Sequence, residues 1–494
     1  MSGLDVEAQN RVGSRWLPSV TGRWFEDRDP ATEDVIGRFP LSSADDVDAA
    51  VDAARDAFSS WRRYPAPRRA EILFRAGELM VARKEELARE ITREMGKVLD
   101  EARGDVQESI DLAYYFAGEG RRLFGLTTPS ESRQKMAYSL RVPVGVVGAI
   151  CPFNFPLAIP ALKILPAIIA GNTVVLKPAG DTPRMATLFA EILEQAGLPP
   201  GVVNVVSGRG VEVGRRIVEH PDVALISFTG SKDVGIEITQ RAAPTLKKTI
   251  LELGGKNCII VLDDADLDLA VRATLWAAFG TSGQRCTSAS RIIVQEKIHG
   301  PFVDRLARAT EALALGPGLD EATDVGPLIN RAAVERVQRY VELGRQEGAE
   351  LLVGGDAPTR PGYYFRPTLF ARAEPGMRLV TDEIFGPLTA VMRAGDLEDA
   401  LRIANDTEYG LSAAIFTESV SGALRAVDDI ETGLFYVNAG TTGAEAHLPT
   451  GGMKASGNGH REAGVAALDS YTEWRSVYID YSHRIQRAQI DIEP

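Results

Sequence analysis

The sequence predicts an α/β fold built around a doubly wound parallel sheet. Between residues 144 and 262, short runs rich in valine and isoleucine alternate with helical stretches, as in parallel strands that are buried on both faces. The chain has 494 residues, 45% of them hydrophobic and 25% charged, which is enough for two or three domains. Beyond about residue 263 the pattern changes to longer helices, and we place a domain boundary at 263–268.

Three helices are predicted before this sheet. Ser43 and Asp46 form a capping-box-like start, after which apolar side chains recur at helical spacing. A second helical stretch is predicted over 67–95, where Gly96 is placed to end it, and a third over 99–123.

The remaining elements follow from the same patterns. Strands of the first sheet are expected at 144–150, 173–177, 202–206, 224–229 and 257–262, with a helical connection at 183–196. The second part is expected to hold helices at 301–314 and 331–347 and strands at 291–295 and 433–438. The stretch 470–481 alternates like a strand but comes after both cores, so we expect it to pair across subunits.

The composition limits the class of partner. A net charge of -13 argues against a nucleic acid or an anionic membrane surface, because either would need an excess of lysine and arginine. Three widely spaced cysteines suggest neither a disulfide framework nor a zinc cluster, and they fit a reducing cytoplasm; we predict no metal site. The N-terminus lacks the apolar block of a signal peptide, so no export is expected. Residues 142–162 carry no charge, yet their four prolines favour a strand, a turn and a helix over a membrane span.

Cys286 lies in the segment GQRCT (283–287), between a helix of small residues and a strand. Turns beside strands expose side chains, and a nucleophilic cysteine needs local positive charge or backbone amides, which Arg285 and the glycine-bearing turn would supply. On this local sequence alone, a buried structural thiol remains the open alternative. Cys151 and Cys258, at a strand end and within a strand, are predicted to be such packing residues.

Glu252 lies in the segment LELGGK (251–256), flanked by leucines and followed by two glycines. Apolar flanks raise the pKa of a carboxyl group, which suits a general base near neutral pH. The alternative is an exposed glutamate at the end of a strand.

Asn154 is held between aromatic residues and prolines in the segment PFNFP (152–156). Facing a pocket, its amide would stabilise an oxyanion, with Phe153 and Phe155 as walls of a substrate channel. A structural asparagine bonded to nearby backbone is the alternative.

A fourth segment, FTGSKDVG (228–235), places Gly230 and Gly235 at the start of a helix that follows a strand. Helix N-termini bind phosphate, and glycines let a pyrophosphate approach the backbone. An ordinary turn would have the same appearance.

Together, and in this order, the four segments resemble the aldehyde dehydrogenase superfamily over nearly the full length. Three further segments carry the resemblance: GNTVVLKPA (171–179), EIFGP (383–387) and NDTEYGLSAAIFT (405–417). It implies two doubly wound, Rossmann-like α/β domains plus a small β oligomerisation element. The implied limits are 1–124 and 144–254 for the NAD(P)-binding domain, 255–460 for the catalytic domain, and 125–143 and 461–494 for the oligomerisation element.

The resemblance also implies a chemistry. In that family a cysteine thiolate attacks the aldehyde, a hydride passes to nicotinamide, and a glutamate-activated water hydrolyses the thioester. By motif, Cys286 would be the nucleophile, Asn154 the oxyanion donor and Glu252 the base, with Phe155 and Thr287 beside the substrate. The implied cofactor contacts are Lys177 at the adenine ribose, Gly230, Ser231 and Gly235 near the pyrophosphate, Glu383 and Phe385 at the nicotinamide ribose and ring, and Pro152, Phe153, Gly180 and Leu253 around them.

Two positions depart from the family pattern. Many members carry an acid three positions after the lysine of VLKP, where it repels a 2'-phosphate, but this chain has Gly180. We therefore expect use of both NAD and NADP. Phe153 stands where tryptophan is common, a change expected to alter the shape of the pocket more than the mechanism.

The loop from Asn438 to Glu445 is similar to the anchor loop of family members that act on semialdehydes with a distal carboxylate. Thr442, Gly443 and Ala444 would form a small anion nest there, and the implied substrate is 2-oxoglutarate semialdehyde or aminoadipate semialdehyde. A glycine-rich loop without a ligand role is the alternative.

Other activities remain open at this point. They are a general aliphatic or aromatic aldehyde dehydrogenase, a relative that passes the thioester to CoA, and a non-enzymatic structural protein on the same fold. Glu252 favours hydrolysis over transfer to CoA. Glu462 matches a position assigned to proton relay, although a salt bridge is an equal alternative. A homodimer or homotetramer is expected.

Overall fold

The computed structural model describes residues 6–487 and 489–491. The strands are β1 (Val6–Glu7), β2 (Asn10–Val12), β3 (Arg15–Leu17), β4 (Trp24–Arg28), β5 (Val35–Pro40), β6 (Thr127–Thr128), β7 (Lys135–Pro143), β8 (Val146–Ile150), β9 (Thr173–Lys177), β10 (Val203–Val205), β11 (Val223–Thr229), β12 (Lys248–Glu252), β13 (Asn257–Val261), β14 (Ala289–Gln295), β15 (Glu350–Val353), β16 (Thr368–Ala371), β17 (Leu388–Ala394), β18 (Tyr409–Gly410), β19 (Ser412–Phe416), β20 (Leu434–Val437), β21 (Met453–Lys454) and β22 (Thr472–Asp480).

The helices surround the sheets and connect the strands. They are α1 (Ala44–Trp61), α2 (Ala66–Ala82), α3 (Lys84–Met95), α4 (Leu99–Glu119), α5 (Ala158–Ala170), α6 (Arg184–Gln195), α7 (Arg215–Glu219), α8 (Lys232–Ala242), α9 (Leu267–Phe279), α10 (Glu296–Glu311), α11 (Arg331–Gln346), α12 (Arg378–Thr381), α13 (Leu397–Asn405), α14 (Val420–Asp429) and α15 (Gly464–Ser470).

The first large sheet has the strand order β12-β11-β8-β9-β10-β2-β3. The strands from β12 to β10 are parallel, while β2 and β3 form an antiparallel edge. Successive residues of β9 point into different cores, since Val174 and Leu176 pack in one cluster and Val175 in another. A strand buried on both faces needs no polar alternation, which explains the continuous valine runs. The predicted doubly wound sheet is confirmed.

The second large sheet has the order β15-β16-β17-β14-β13-β19-β20 and is parallel except at β15. Here too the faces alternate, with Ile260 in one core and Ile259 in the other. β13 lies in the middle of this sheet, between β14 and β19. The boundary placed at 263–268 from the pattern is therefore wrong, because the strand before it pairs with the second half of the chain.

The predicted helices are present with one difference. α1 begins as expected, since the backbone N–H of Ser43 donates to the Asp46 carboxylate at 2.9 Å. The single helix expected over 67–95 is instead α2 and α3, separated at Arg83, whose backbone (φ -108°, ψ 14°) leaves the helical region. Gly96 ends α3 with a φ of 90°, a left-handed conformation that favours glycine.

A small third sheet joins β6, β7 and β22. β22 pairs antiparallel with β7 along its full length, from Thr472 opposite Pro143 to Asp480 opposite Lys135. The strand expected near the C-terminus is thus confirmed, although it pairs with β7 of its own chain. α15 buries Ala467 in the first core, so the limit of 461 expected for this element moves to 472. Among the described helices, none combines the length and the apolar character needed to span a membrane.

Candidate active site

Four parallel strands of the first sheet end at one edge and bring the predicted residues together. In register, Ile150 of β8 lies beside Lys177 of β9 and Phe228 of β11, and Thr229 lies beside Glu252. The loop that carries Asn154 and the turn that carries Gly230 leave this same edge. Ligands of doubly wound sheets bind at such carboxyl ends.

Cys286 lies between α9 and β14 on a turn that packs against the Gly-Gly pair after β12. The Asn257 side chain donates to the Cys286 carbonyl at 2.7 Å and to the Ser288 carbonyl at 2.9 Å, which fixes the turn. The thiol is partly exposed. Burial in the site, together with Glu383 and Glu252, raises its pKa to about 12, while the backbone N–H groups of Cys286 and Thr287 act in the opposite direction.

Arg285 does not supply the positive charge expected at the thiol. Its guanidinium bonds to Glu101 at 3.2 Å and to the Thr281 hydroxyl at 2.9 Å, and it lies 4.5 Å above the Trp276 ring. Glu101 neutralises most of its field at Cys286, so backbone amides are the local groups that favour the thiolate. Cys151 and Cys258 are buried as predicted, and burial raises both of their pKa values.

Glu252 ends β12 with a buried side chain, as its leucine flanks predict. Its Oε1 atom accepts no hydrogen bond within residues 6–487 and 489–491. Burial, and then the nearby Glu462 carboxylate, raise the pKa of Glu252 well above its ordinary value, whereas Lys163 and Arg461 act to lower it. The result is a carboxyl group that can hold a proton near neutral pH.

Glu462 forms the salt bridge that was one of its two alternatives. Lys163, completely buried on α5, donates to Glu462 at 2.6 Å. The Ser227 hydroxyl donates to the same carboxylate oxygen at 3.0 Å, and the Tyr471 hydroxyl donates to Ser227 at 3.0 Å. This buried network lies directly behind Glu252.

The PFNFP segment separates its two aromatic rings. Phe155 lines the cavity that contains Cys286, with the Lys97 ammonium 3.8 Å from its ring centre. Phe153 does not line this cavity; its ring packs edge-on against Phe385 at 5.8 Å, so the expectation that both rings wall the substrate channel is wrong for Phe153. Asn154 is buried between them, and its Oδ1 atom lacks a partner among the described residues.

A cavity of about 850 Å³ connects these groups to the surface. It is lined by Cys286, Glu252 and, from the expected substrate residues, by Phe155, Thr287, Thr442, Gly443 and Ala444, and also by Leu253. The wall opposite the anchor loop is α4, which the sequence analysis did not assign to the site. The signal was present, since Glu101, Asp105 and Glu108 recur at helical spacing.

The expected cofactor residues lie on the other side of Glu252 and leave room for a nucleotide. Lys177 is buried, which lowers its pKa to about 8, and its ammonium donates to the Pro178 carbonyl at 2.7 Å. A Cβ atom at Gly180 would have no atom within 4 Å, so open space adjoins Lys177. Ser231 caps the N-terminus of α8, and a Cβ atom at Gly235 would lie 2.7 Å from Leu253, which shows how closely this helix packs. An unblocked helix N-terminus beside a buried lysine fits a dinucleotide phosphate.

Glu383 approaches the site from the second sheet. Its carboxylate accepts the Gly255 N–H at 3.1 Å, and any side chain at Gly254 would collide with it. Burial raises the pKa of Glu383. Phe385 adopts a φ of 57°, unusual for a phenylalanine, to place its ring against Phe153, and Pro152 precedes that ring in the chain.

A thiol and a buried base on a shared cavity, beside a nucleotide-binding sheet edge, define an oxidoreductase of the thioester-forming type. A sequence profile described as the aldehyde dehydrogenase family matches residues 16–477. The chain is 41% identical to alpha-ketoglutaric semialdehyde dehydrogenase of Bacillus subtilis (strain 168) over 475 residues, 95% of this chain and 97% of that relative.

Two further similarities agree with this. The chain is 41% identical to the mitochondrial succinate-semialdehyde dehydrogenase of Arabidopsis thaliana, over 98% of this chain and 91% of the relative. An NAD+ complex of aldehyde dehydrogenase from Bacillus cereus superposes with a TM-score of 0.94 at 36% identity, covering 97% of each chain. The chain belongs to the aldehyde dehydrogenase family.

Proposed function

We propose that this enzyme oxidises an aldehyde to a carboxylic acid through a thioester on Cys286, with NAD or NADP as oxidant and water as acyl acceptor. The observation that carries the proposal is the single cavity shared by the Cys286 thiol and the unpartnered Glu252 carboxyl. A nucleophile and a base on one cavity can act in sequence on one substrate.

The first step forms a carbon–sulfur bond. The Cys286 thiol loses its proton, its sulfur attacks the aldehyde carbon, and the carbonyl electron pair moves to oxygen. The Asn154 amide and the Cys286 backbone N–H would hold that oxyanion, and an asparagine buried without a partner for Oδ1 is free to orient its amide for this purpose. When bound, nicotinamide accepts the hydride that leaves the substrate carbon.

The second step hydrolyses the thioester. Glu252 takes a proton from water, the hydroxide attacks the acyl carbon, and the carbon–sulfur bond breaks to return the Cys286 thiolate. A raised pKa in Glu252 suits it to accept that proton and release it in each cycle. This role requires the ionised carboxylate, so the rate of hydrolysis should rise with pH through the raised pKa.

The cofactor would lie along the edge from Lys177 to Glu383. Lys177 and the space at Gly180 would accommodate the adenine ribose with or without a 2'-phosphate, and Gly230 and Ser231 would hold the pyrophosphate at the start of α8. Glu383 is held by the Gly255 N–H, in a position to orient the nicotinamide ribose.

We further propose a semialdehyde with a distal carboxylate as substrate, of the 2-oxoglutarate or aminoadipate semialdehyde type. Thr442, Gly443 and Ala444 line the cavity that contains Cys286, and Gly443 has a φ of 112°, a conformation in which successive N–H groups can converge on an anion. Arg285 adds a cation to the same wall. The relatives named above act on aldehydes that carry a carboxylate, which supports this assignment.

A panel of aldehydes followed by NADH or NADPH absorbance tests the proposal. We expect 2-oxoglutarate semialdehyde to show a kcat/KM at least about tenfold above that of pentanal, the size of one well-placed charged hydrogen bond. Thr442→Val should reduce this preference and leave pentanal unchanged. Preference for pentanal would contradict the substrate class, and a requirement for CoA would contradict hydrolysis.

We also propose that 125–143 and 472–494 form the oligomerisation element of a homodimer or homotetramer in the cytoplasm. The small sheet leaves Met136, Trp474 and Tyr478 more than half exposed, more apolar surface than an isolated strand pair would leave in water. Light scattering of the wild type and of Trp474→Glu tests it, and an unchanged monomeric mass in both would contradict it.

A further inference from the structure

One face of α4 lines the substrate cavity and carries mostly carboxylates. The acidic residues on this face are Asp100, Glu101, Asp105, Glu108 and Asp111. A wall of this kind is unexpected beside a substrate that carries a negative charge, because like charges repel.

Four of these five side chains are occupied by partners within the protein. Asp100 pairs with Arg103 at 2.6 Å, Glu101 with Arg285 at 3.2 Å, Asp105 with Lys97 at 3.1 Å, and Asp111 accepts from Gln107 at 2.8 Å. Glu108 differs: in the described part of the chain no hydrogen bond or ion pair reaches its carboxyl group, which faces the cavity. A group left without a partner on the wall of a binding cavity is available to the ligand.

The surroundings of Glu108 set its protonation. Burial raises its pKa to about 7; Asp105 and Asp111 on its own helix add to the increase, and Lys97 and Arg285 oppose it. On the facing loop, Glu445 and His447 line the same cavity. Glu108 is thus a hydrogen-bond donor below neutral pH and an anion above it.

We propose that Glu108 determines which charge the enzyme accepts at the far end of the aldehyde. Protonated, it donates a hydrogen bond to a distal carboxylate; ionised, it repels that carboxylate and attracts a cationic end. The first half of this inference rests on the proposed semialdehyde substrate, while the second half does not.

The test is the KM of three aldehydes as a function of pH, each divided by the KM of pentanal so that titration of Cys286 and Glu252 cancels. For 2-oxoglutarate semialdehyde, binding only to the protonated form predicts that this ratio rises about tenfold from about pH 6 to about pH 8. For 4-trimethylammoniobutanal, whose charge is fixed, the ratio should fall over the same range. Glu108→Gln should abolish both trends and keep the pentanal KM unchanged.

Asp111→Asn is the matched control, since it removes a carboxylate from the same helix face one turn away. It should retain both trends. Pentanal turnover reports that each variant is folded.

The outcomes separate this inference from the proposed function. If the semialdehyde is a good substrate but its ratio is independent of pH, or Glu108→Gln retains the trend, the role of Glu108 is refuted and the substrate stands. If no variant oxidises the semialdehyde while the cationic aldehyde follows Glu108, the substrate class is refuted and the charge selection stands.

Discussion

Gly180→Glu should convert the enzyme from use of both cofactors to use of NAD. A Cβ atom at Gly180 meets no atom within 4 Å, so a longer side chain fits without displacing its neighbours. At an effective dielectric constant of about 20, a carboxylate about 5 Å from a phosphate charge costs about 3 kcal/mol. Since about 1.4 kcal/mol corresponds to a factor of ten, kcat/KM for NADP should fall about a hundredfold.

The assay is steady-state NADH and NADPH formation with one saturating aldehyde. Activity with NAD should change by less than about threefold, because an uncharged ribose lacks the repulsion that salt would screen. Gly180→Gln is the control for size and should retain NADP activity. An equal loss with both cofactors in Gly180→Glu, or an equal loss of NADP activity in Gly180→Gln, would refute the electrostatic reasoning.

Two other changes test the electrostatics of the site. Alkylation of Cys286 by iodoacetamide in the cofactor-free enzyme should be slower at neutral pH than that of a free cysteine and should rise about tenfold per pH unit above it, since the pKa is near 12; a rate that levels off below about pH 8 would contradict this. Glu462→Gln removes the charge that, after burial, most raises the pKa of Glu252, so the rise of kcat with pH should move to lower pH by about one unit. Lys163, left without its partner, adds to that shift; a move to higher pH would show that the carboxylates do not interact.

The sheets could be predicted because their strands are buried on both faces. Continuous apolar runs such as 173–177 have no other soluble environment, and they appear as β9 and its neighbours. Which sheet a strand joins is a different matter. The run at 257–262 resembles the strands before it, but its partners β14 and β19 come later in the chain, and no local pattern encodes that pairing.

The chemistry of the candidate site was predicted better than its surroundings. Cys286, Glu252 and Asn154 stand in segments whose neighbours reveal their environment, such as the leucines that bury Glu252. Arg285 was misjudged because the carboxylate that neutralises it, Glu101, is 184 residues away in the sequence. Glu108 was missed since acidic residues on a helix usually face solvent, and only the packed fold turns this face toward a cavity.

The most direct test of the central claim is to trap the acyl group on Cys286. In Glu252→Gln the thiol and oxyanion groups remain but the base for hydrolysis is lost, so steady-state turnover should fall by about 10²–10⁴-fold. One rapid equivalent of reduced cofactor should still form per site, and digestion with mass spectrometry should locate the acyl group on the peptide that contains Cys286. Absence of the burst, an acyl group on another residue, or turnover at the wild-type rate would contradict the account.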